Sequence, residues 1–92
     1  MDSILSNEKK CYVCGTPFDL HKHHIFYGTA NRSQSEKHGL WVYLCAYHHN
    51  MSNEGVHFSK YLDNGLKQTA QREFEKTHSR DEFRKIFGKS WL

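Results

Sequence analysis

Apolar positions along this chain are sparse and arrive in short bursts, so the elements are read segment by segment. "LWVYLC" (40–45) is aromatic and β-branched and predicts a strand, and "HKHHIFY" (21–27) predicts a second, shorter one. Between them "GTANRSQSEKHG" (28–39) has no periodicity and is bounded by glycine, which predicts a long polar loop. Further on, Leu62, Leu66, Ala70 and Phe74 recur every four residues, the apolar stripe of a helix. "SRDE" (79–82) has the Ser-x-x-Glu capping-box form, so a last helix should start after Ser79 and bury Phe83, Ile86 and Phe87. Gly88 is its expected C-cap, and "SWL" should fold back onto the core. A short helix is expected from His48 to Gly55, and "CYVCGTPFDL" (11–20) reads as a turn. Residues 1–10 look like a loose polar lead-in. The expected class is α+β: a small two-strand unit over 11–57, a helical extension over 58–92, and one domain from 11 to 92.

Composition sharpens this picture at one point. Ninety-two residues with 37% hydrophobic content bury a thin core, and domains that small often need a staple. Six Phe, five Tyr and two Trp nonetheless mark a folding sequence. The three cysteines cannot all pair within one chain. The first residues carry no apolar leader and no stretch is long enough for a membrane span, so a reducing cytoplasm is expected and no membrane partner. In that setting, close-spaced cysteines bind metal more often than they form structural disulfides.

Cys11-x2-Cys14 and Cys45-x2-His48 form two half-sites. Tetrahedral zinc takes four such donors, and each x2 spacing lets one tight turn present two of them to one ion. The rival readings are a redox dithiol and inert buried thiols. No Trp precedes Cys11 and no Pro lies between the two cysteines, which disfavours the redox form. Four protein donors leave no open position, so this zinc is expected to be structural and to supply the staple.

Seven of the eight histidines fall between residues 11 and 57, and zinc uses only one of them. "CYVC", "HKHHI", "LWVYLCAYHHN" and "GVH" together resemble the HNH nucleases, the ββα-metal superfamily, in their zinc-knuckle form. The resemblance spans residues 11–57, about half the chain. It implies that His24 is the general base and that His23 and His49 ligate a catalytic divalent metal. Asn53 or His57 would complete that site, and imidazole is the better donor. His21 shares a strand face with His23 and stays open as an alternative ligand. The family's middle Asn has no direct counterpart: Gly39 and His38 stand at its place, and Asn31 is the substitute in the loop. The same motifs also resemble small phage-encoded recombination nucleases of the RecA-dependent type, and phage packaging nickases.

The chemistry holds without the family. Phosphodiester hydrolysis needs an activated water and stabilised charge on the phosphoryl and leaving oxygens. A histidine can deprotonate water near neutral pH, and a divalent ion with open positions can hold those oxygens. All-imidazole donors favour Mn²⁺, Ni²⁺, Co²⁺ or Zn²⁺ over Mg²⁺. DNA is the expected partner, met at the minor groove in the family, with Lys22, Arg32 and Lys37 as phosphate contacts around the site. A recombination or packaging protein is a further expected partner. Residues 1–57 are neutral and residues 58–92 carry the whole +3. Arg72, Arg80, Arg84, Lys85 and Lys89 therefore either grip DNA or form a solvated face balanced by Glu73, Glu75, Asp81 and Glu82. Outside the nuclease class, the rivals are a non-catalytic zinc module binding DNA or protein, a second structural zinc, and a redox protein.

Overall fold

A computed structural model describes residues 1–51 and 55–92. Two strands, β1 (Leu20–His24) and β2 (Trp41–Cys45), pair antiparallel, with His23 opposite Val42 and Leu20 opposite Cys45. Among the described residues three α-helices accompany them: α1 (Thr29–His38), α2 (Lys60–Phe74) and α3 (Arg80–Phe87). A π-helical turn, Tyr47–Met51, follows β2 directly. The class is a small α+β arrangement with a two-stranded sheet, as the apolar pattern implied. Among the described residues no helix is long and apolar enough to cross a membrane.

The expected loop over 28–39 is wrong: it is the ten-residue helix α1. Its only buried side chain is Ser35, so it lacks the apolar stripe that periodicity detects. Ala30, Arg32, Gln34, Glu36 and Lys37 are nonetheless good helix formers, and propensity rather than pattern carried the signal. Ser35 replaces apolar burial with hydrogen bonds. Its Oγ accepts from the Phe26 amide at 3.1 Å and donates to the Phe26 carbonyl at 2.7 Å.

β1 is also shorter than expected. It ends at His24, and Ile25 and Phe26 leave the sheet to enter the core. Phe26 packs on Phe83, Phe87 and Trp91, with ring centroids 5.2, 4.6 and 4.9 Å away. Residues 58–92 are therefore the other half of the core rather than an appendage. Leu66, Ala70 and Phe74 are buried as the stripe predicts, and Leu62 is half-buried. The capping box at Ser79 and Glu82 and the left-handed Gly88 cap both form. "SWL" does fold back: buried Gln71 accepts the Trp91 amide at 2.8 Å and donates to Ser90 Oγ at 2.9 Å.

The first ten residues form no helix or strand, yet they are fastened to the sheet. The Ile4 amide donates to the Gly39 carbonyl at 2.9 Å, and buried Ser3 donates to the Trp41 carbonyl. Ile4 and Leu5 pack on the core. Alternating polarity cannot reveal this tie, because it rests on two backbone-directed bonds.

Candidate metal centres and the cavity beside them

The knuckle is built by local backbone bonds. The Gly15 amide donates to the Cys11 carbonyl and the Cys11 amide to the Thr16 carbonyl, both at 2.8 Å. Gly15 takes φ +80°, a left-handed turn that glycine enters without steric cost. The Tyr12 amide then donates to the Tyr43 carbonyl at 2.8 Å, docking the turn onto β2. Cys45 ends β2, and the π-helical turn brings His48 back to it.

As a result Cys11, Cys14, Cys45 and His48 offer donor atoms all within 4.8 Å of one another, a group that could hold a metal such as zinc. Cys14 Sγ and Cys45 Sγ are 3.8 Å apart, and His48 Nδ1 lies 3.4 Å from Cys45 Sγ and 3.8 Å from Cys11 Sγ. A tetrahedron with Zn–S near 2.3 Å and Zn–N near 2.05 Å has edges of about 3.8 Å between sulfurs and about 3.6 Å from sulfur to nitrogen. These three of the six donor pairs sit close to those separations, and the rest lie within 4.8 Å. All three cysteines are free thiols, and 3.8 Å is far from a bonded sulfur pair. Burial opposes ionisation of Cys11, but backbone hydrogen bonds from Cys45, Cys14 and Val13 outweigh it and bring the thiol down to about 6. A thiolate is what a metal needs.

The second group is His23, His49 and His57, whose ring nitrogens also lie within 4.8 Å of one another. His23 projects from β1 into the interior and is only 2% exposed. His49 follows His48 in the π-helical turn, a form that recurs at functional sites. His57 arrives because the chain doubles back: the Val56 amide donates to the His48 carbonyl at 2.7 Å and the His57 amide to the His49 carbonyl at 3.2 Å. Gly55 permits that approach, since a Cβ there would lie 2.9 Å from the His49 carbonyl oxygen. His49 Nε2 and His57 Nε2 are 3.1 Å apart. Ligand nitrogens about 2.1 Å from one ion are about 3.0 Å apart in an octahedron and about 3.4 Å apart in a tetrahedron. His23 Nε2 is buried with no hydrogen-bond partner among the described residues. An orphaned ring nitrogen beside two others fits a metal ligand, because burying it unpaired is otherwise costly. Burial, then the neighbouring His49 and His57, push His23 down to about 3, and burial with His57 and His21 pushes His49 down to about 4. Both rings are held neutral, as ligands must be.

His21 lies outside this group. Its Nδ1 is 2.9 Å from His49 Nδ1, on the far side of that ring from His57. It therefore orients His49 instead of joining the cluster. Asn53, the other proposed ligand, lies outside the described residues.

His24 stands at the last position of β1. Leu20, Lys22 and His24 share one strand face and His21 and His23 the other. The strand ends there, so His23 and His24 still border one cavity. That cavity, about 180 Å³, is lined by Lys22, His23, His24, Tyr27, Arg32, His49 and His57. His24 Nε2 lies 3.0 Å from Glu36 Oε1, and Lys22 Nζ lies 2.7 Å from the same oxygen. The hydrogen bonds from Lys22 and His24 lower Glu36 to about 2, so it is a carboxylate. Sequence reasoning passed over Glu36 because its segment was read as a loop.

The expected phosphate contacts divide. Arg32 is exposed at the cavity mouth and makes no ion pair among the described residues. Lys22 borders the same cavity but is held by Glu36 and by the Trp41 ring, 4.2 Å below its Nζ. Lys37 is exposed in the last turn of α1 and is not among the residues lining this cavity. Of the family's middle position, His38 packs edge-on against Phe74, and Asn31 makes no hydrogen bond to β1 among the described residues. In the tail, Arg80 pairs with Glu75 at 3.2 Å and Lys89 lies over Trp91.

Comparison with protein-family models, curated proteins and solved structures finds no match to this chain.

Proposed function

We propose that the chain is a metal-dependent DNA endonuclease of ββα-metal type, with a structural zinc at Cys11, Cys14, Cys45 and His48. The observation that carries this reading is the convergence of three imidazoles, from His23, His49 and His57, on one cavity that His24 also borders. β1 carries His23 and His24, the turn after β2 carries His49, and His57 follows it, an order that supports the HNH reading. A divalent ion bound by the three imidazoles supplies Lewis-acid stabilisation of the phosphoryl charge and of the departing oxygen. His24 takes the proton of the attacking water. Arg32 at the cavity mouth holds the scissile phosphate, with Lys22 beside it. Buried His23 keeps its ring fixed, so the cluster does not reorganise during the reaction.

The test is plasmid cleavage by the zinc-loaded protein with Mn²⁺, Ni²⁺ and Mg²⁺, beside His24→Ala. Cleavage should appear with Mn²⁺ or Ni²⁺ and fall about 10²- to 10⁴-fold in the variant. Cleavage surviving intact in His24→Ala would remove His24 as base, and strict Mg²⁺ dependence would count against an all-imidazole site.

One observation favours a second reading, a non-catalytic zinc module that binds a partner. A groove of about 570 Å³ runs between the knuckle and α2, lined by Tyr12, Val13, Tyr61 and Leu62 among others, with Tyr61 93% exposed. DNA binding without cleavage under every metal tested would favour that reading over the nuclease.

A further inference from the structure

The nuclease reading leaves one contact without a role. α1 carries a single carboxylate, Glu36, and its ring partner is the proposed base. The placement is not incidental to a mobile surface. Ser35, the adjacent residue, is fully buried and exchanges two hydrogen bonds with Phe26, two residues beyond His24. That clamp fixes the rotation of α1 and leaves Glu36 Oε1 3.0 Å from His24 Nε2. A carboxylate only accepts, so Nε2 carries the hydrogen, and the lone pair that serves as base lies on Nδ1. Among the described residues Nδ1 has no protein partner, so it is the nitrogen available to a water.

We propose that Glu36 is a positioning residue for the cleavage reaction, fixing His24 in the Nε2–H form with Nδ1 available to the attacking water. The inference rests on the nuclease reading. In the step itself, the water gives one proton to Nδ1 while its oxygen bonds to phosphorus. The bond from phosphorus to the 3′ oxygen breaks, and that oxygen takes a proton from solvent. His24 then carries a positive charge between steps, which the Glu36 carboxylate stabilises before the proton passes to bulk water. Lys22 on the same carboxylate oxygen holds Glu36 in place.

The experiment pairs imidazole ¹⁵N NMR with cleavage kinetics on the zinc-loaded protein, comparing wild type, Glu36→Ala, Glu36→Gln and the His24→Ala/Glu36→Ala double variant. Wild-type His24 should be the Nε2–H tautomer, and Glu36→Ala should mix the two tautomers. Glu36→Ala should lower kcat about ten- to a hundredfold with KM unchanged. Glu36→Gln, whose amide oxygen can still accept, should restore the tautomer but only part of kcat. The double variant should cleave no more slowly than His24→Ala alone, because Glu36 acts through that ring. Additive losses in the double variant, or Nδ1–H as the wild-type tautomer, would overturn the proposal. Circular dichroism checks folding, and alanine on the exposed face of α1 is compatible with the helix. Unchanged cleavage in Glu36→Ala would overturn this inference alone, whereas a wild type inactive with every metal would overturn the nuclease reading as well.

Discussion

Two clusters of side chains that could hold a metal draw on adjacent residues, His48 and His49, and differ in how they are closed. The knuckle group has four donors, three of them sulfur, and two of its cysteines are buried. The histidine group has three donors, and its third member, His57, is exposed beside a cavity. Four donors complete a tetrahedron and leave a metal nothing further to bind, so such a site can only hold the chain together. Three donors and a cavity leave room for a substrate oxygen. In the proposed reading, donor count and access divide the stabilising site from the reactive one.

The hardest way to break this contrast is to remove a knuckle ligand. Structural zinc in small domains is worth about 10–16 kcal/mol, as large as the whole stability of a typical domain. Cys11→Ser should therefore abolish the cooperative unfolding transition or lower its midpoint drastically, read by circular dichroism alongside zinc content. A variant that melts like wild type without zinc would deny the knuckle its structural role. His49→Ala, one residue from the knuckle, should act in the opposite manner. It should keep one zinc per chain and a near-native melt, yet lose at least about a hundredfold in metal-dependent cleavage. Loss of the fold together with activity would merge the two clusters into one structural unit.

His21 provides a finer test. Because it reaches only the Nδ1 of His49, the ring nitrogen turned away from His57, His21→Ala should weaken binding of the proposed second metal about ten- to a hundredfold without removing it. Calorimetric titration with Mn²⁺ reads this directly, and complete loss of binding would make His21 a ligand after all. A further effect concerns acid. His23 is depressed from 6.5 to about 3, so the unfolded chain binds its proton first as pH falls. Its contribution is complete above about 6.5 and is lost progressively as pH falls toward 3. The wild type should accordingly lose stability between those values faster than His23→Leu does, measured by denaturant unfolding at several pH values. Parallel pH profiles for the two proteins would mean that His23 titrates normally.

Local signals in the chain were largely readable. The capping box at Ser79 and Glu82 and the stripe through Leu66, Ala70 and Phe74 act within a few residues, and both form as read. α1 escaped because a helix whose one buried side chain is a serine has no apolar periodicity to detect. With it went Glu36, whose only distinguishing feature is its place beside His24. Buried Gln71 was missed for a similar reason: it is polar, and only the returning "SWL" segment gives it a partner.

By itself the sequence determined the donor chemistry and its local spacing: two x2 pairs for one ion, adjacent histidines, and a surplus of imidazole around two strands. Those features act inside single turns, where a few covalent bonds limit the geometry. The tertiary structure alone decided which histidines meet. Strand register sets His23 opposite Val42, two backbone bonds return residues 56 and 57 to 48 and 49, and the Ser35 clamp turns Glu36 to His24. Each spans eight or more residues, beyond the reach of a single turn, so local spacing alone does not specify it.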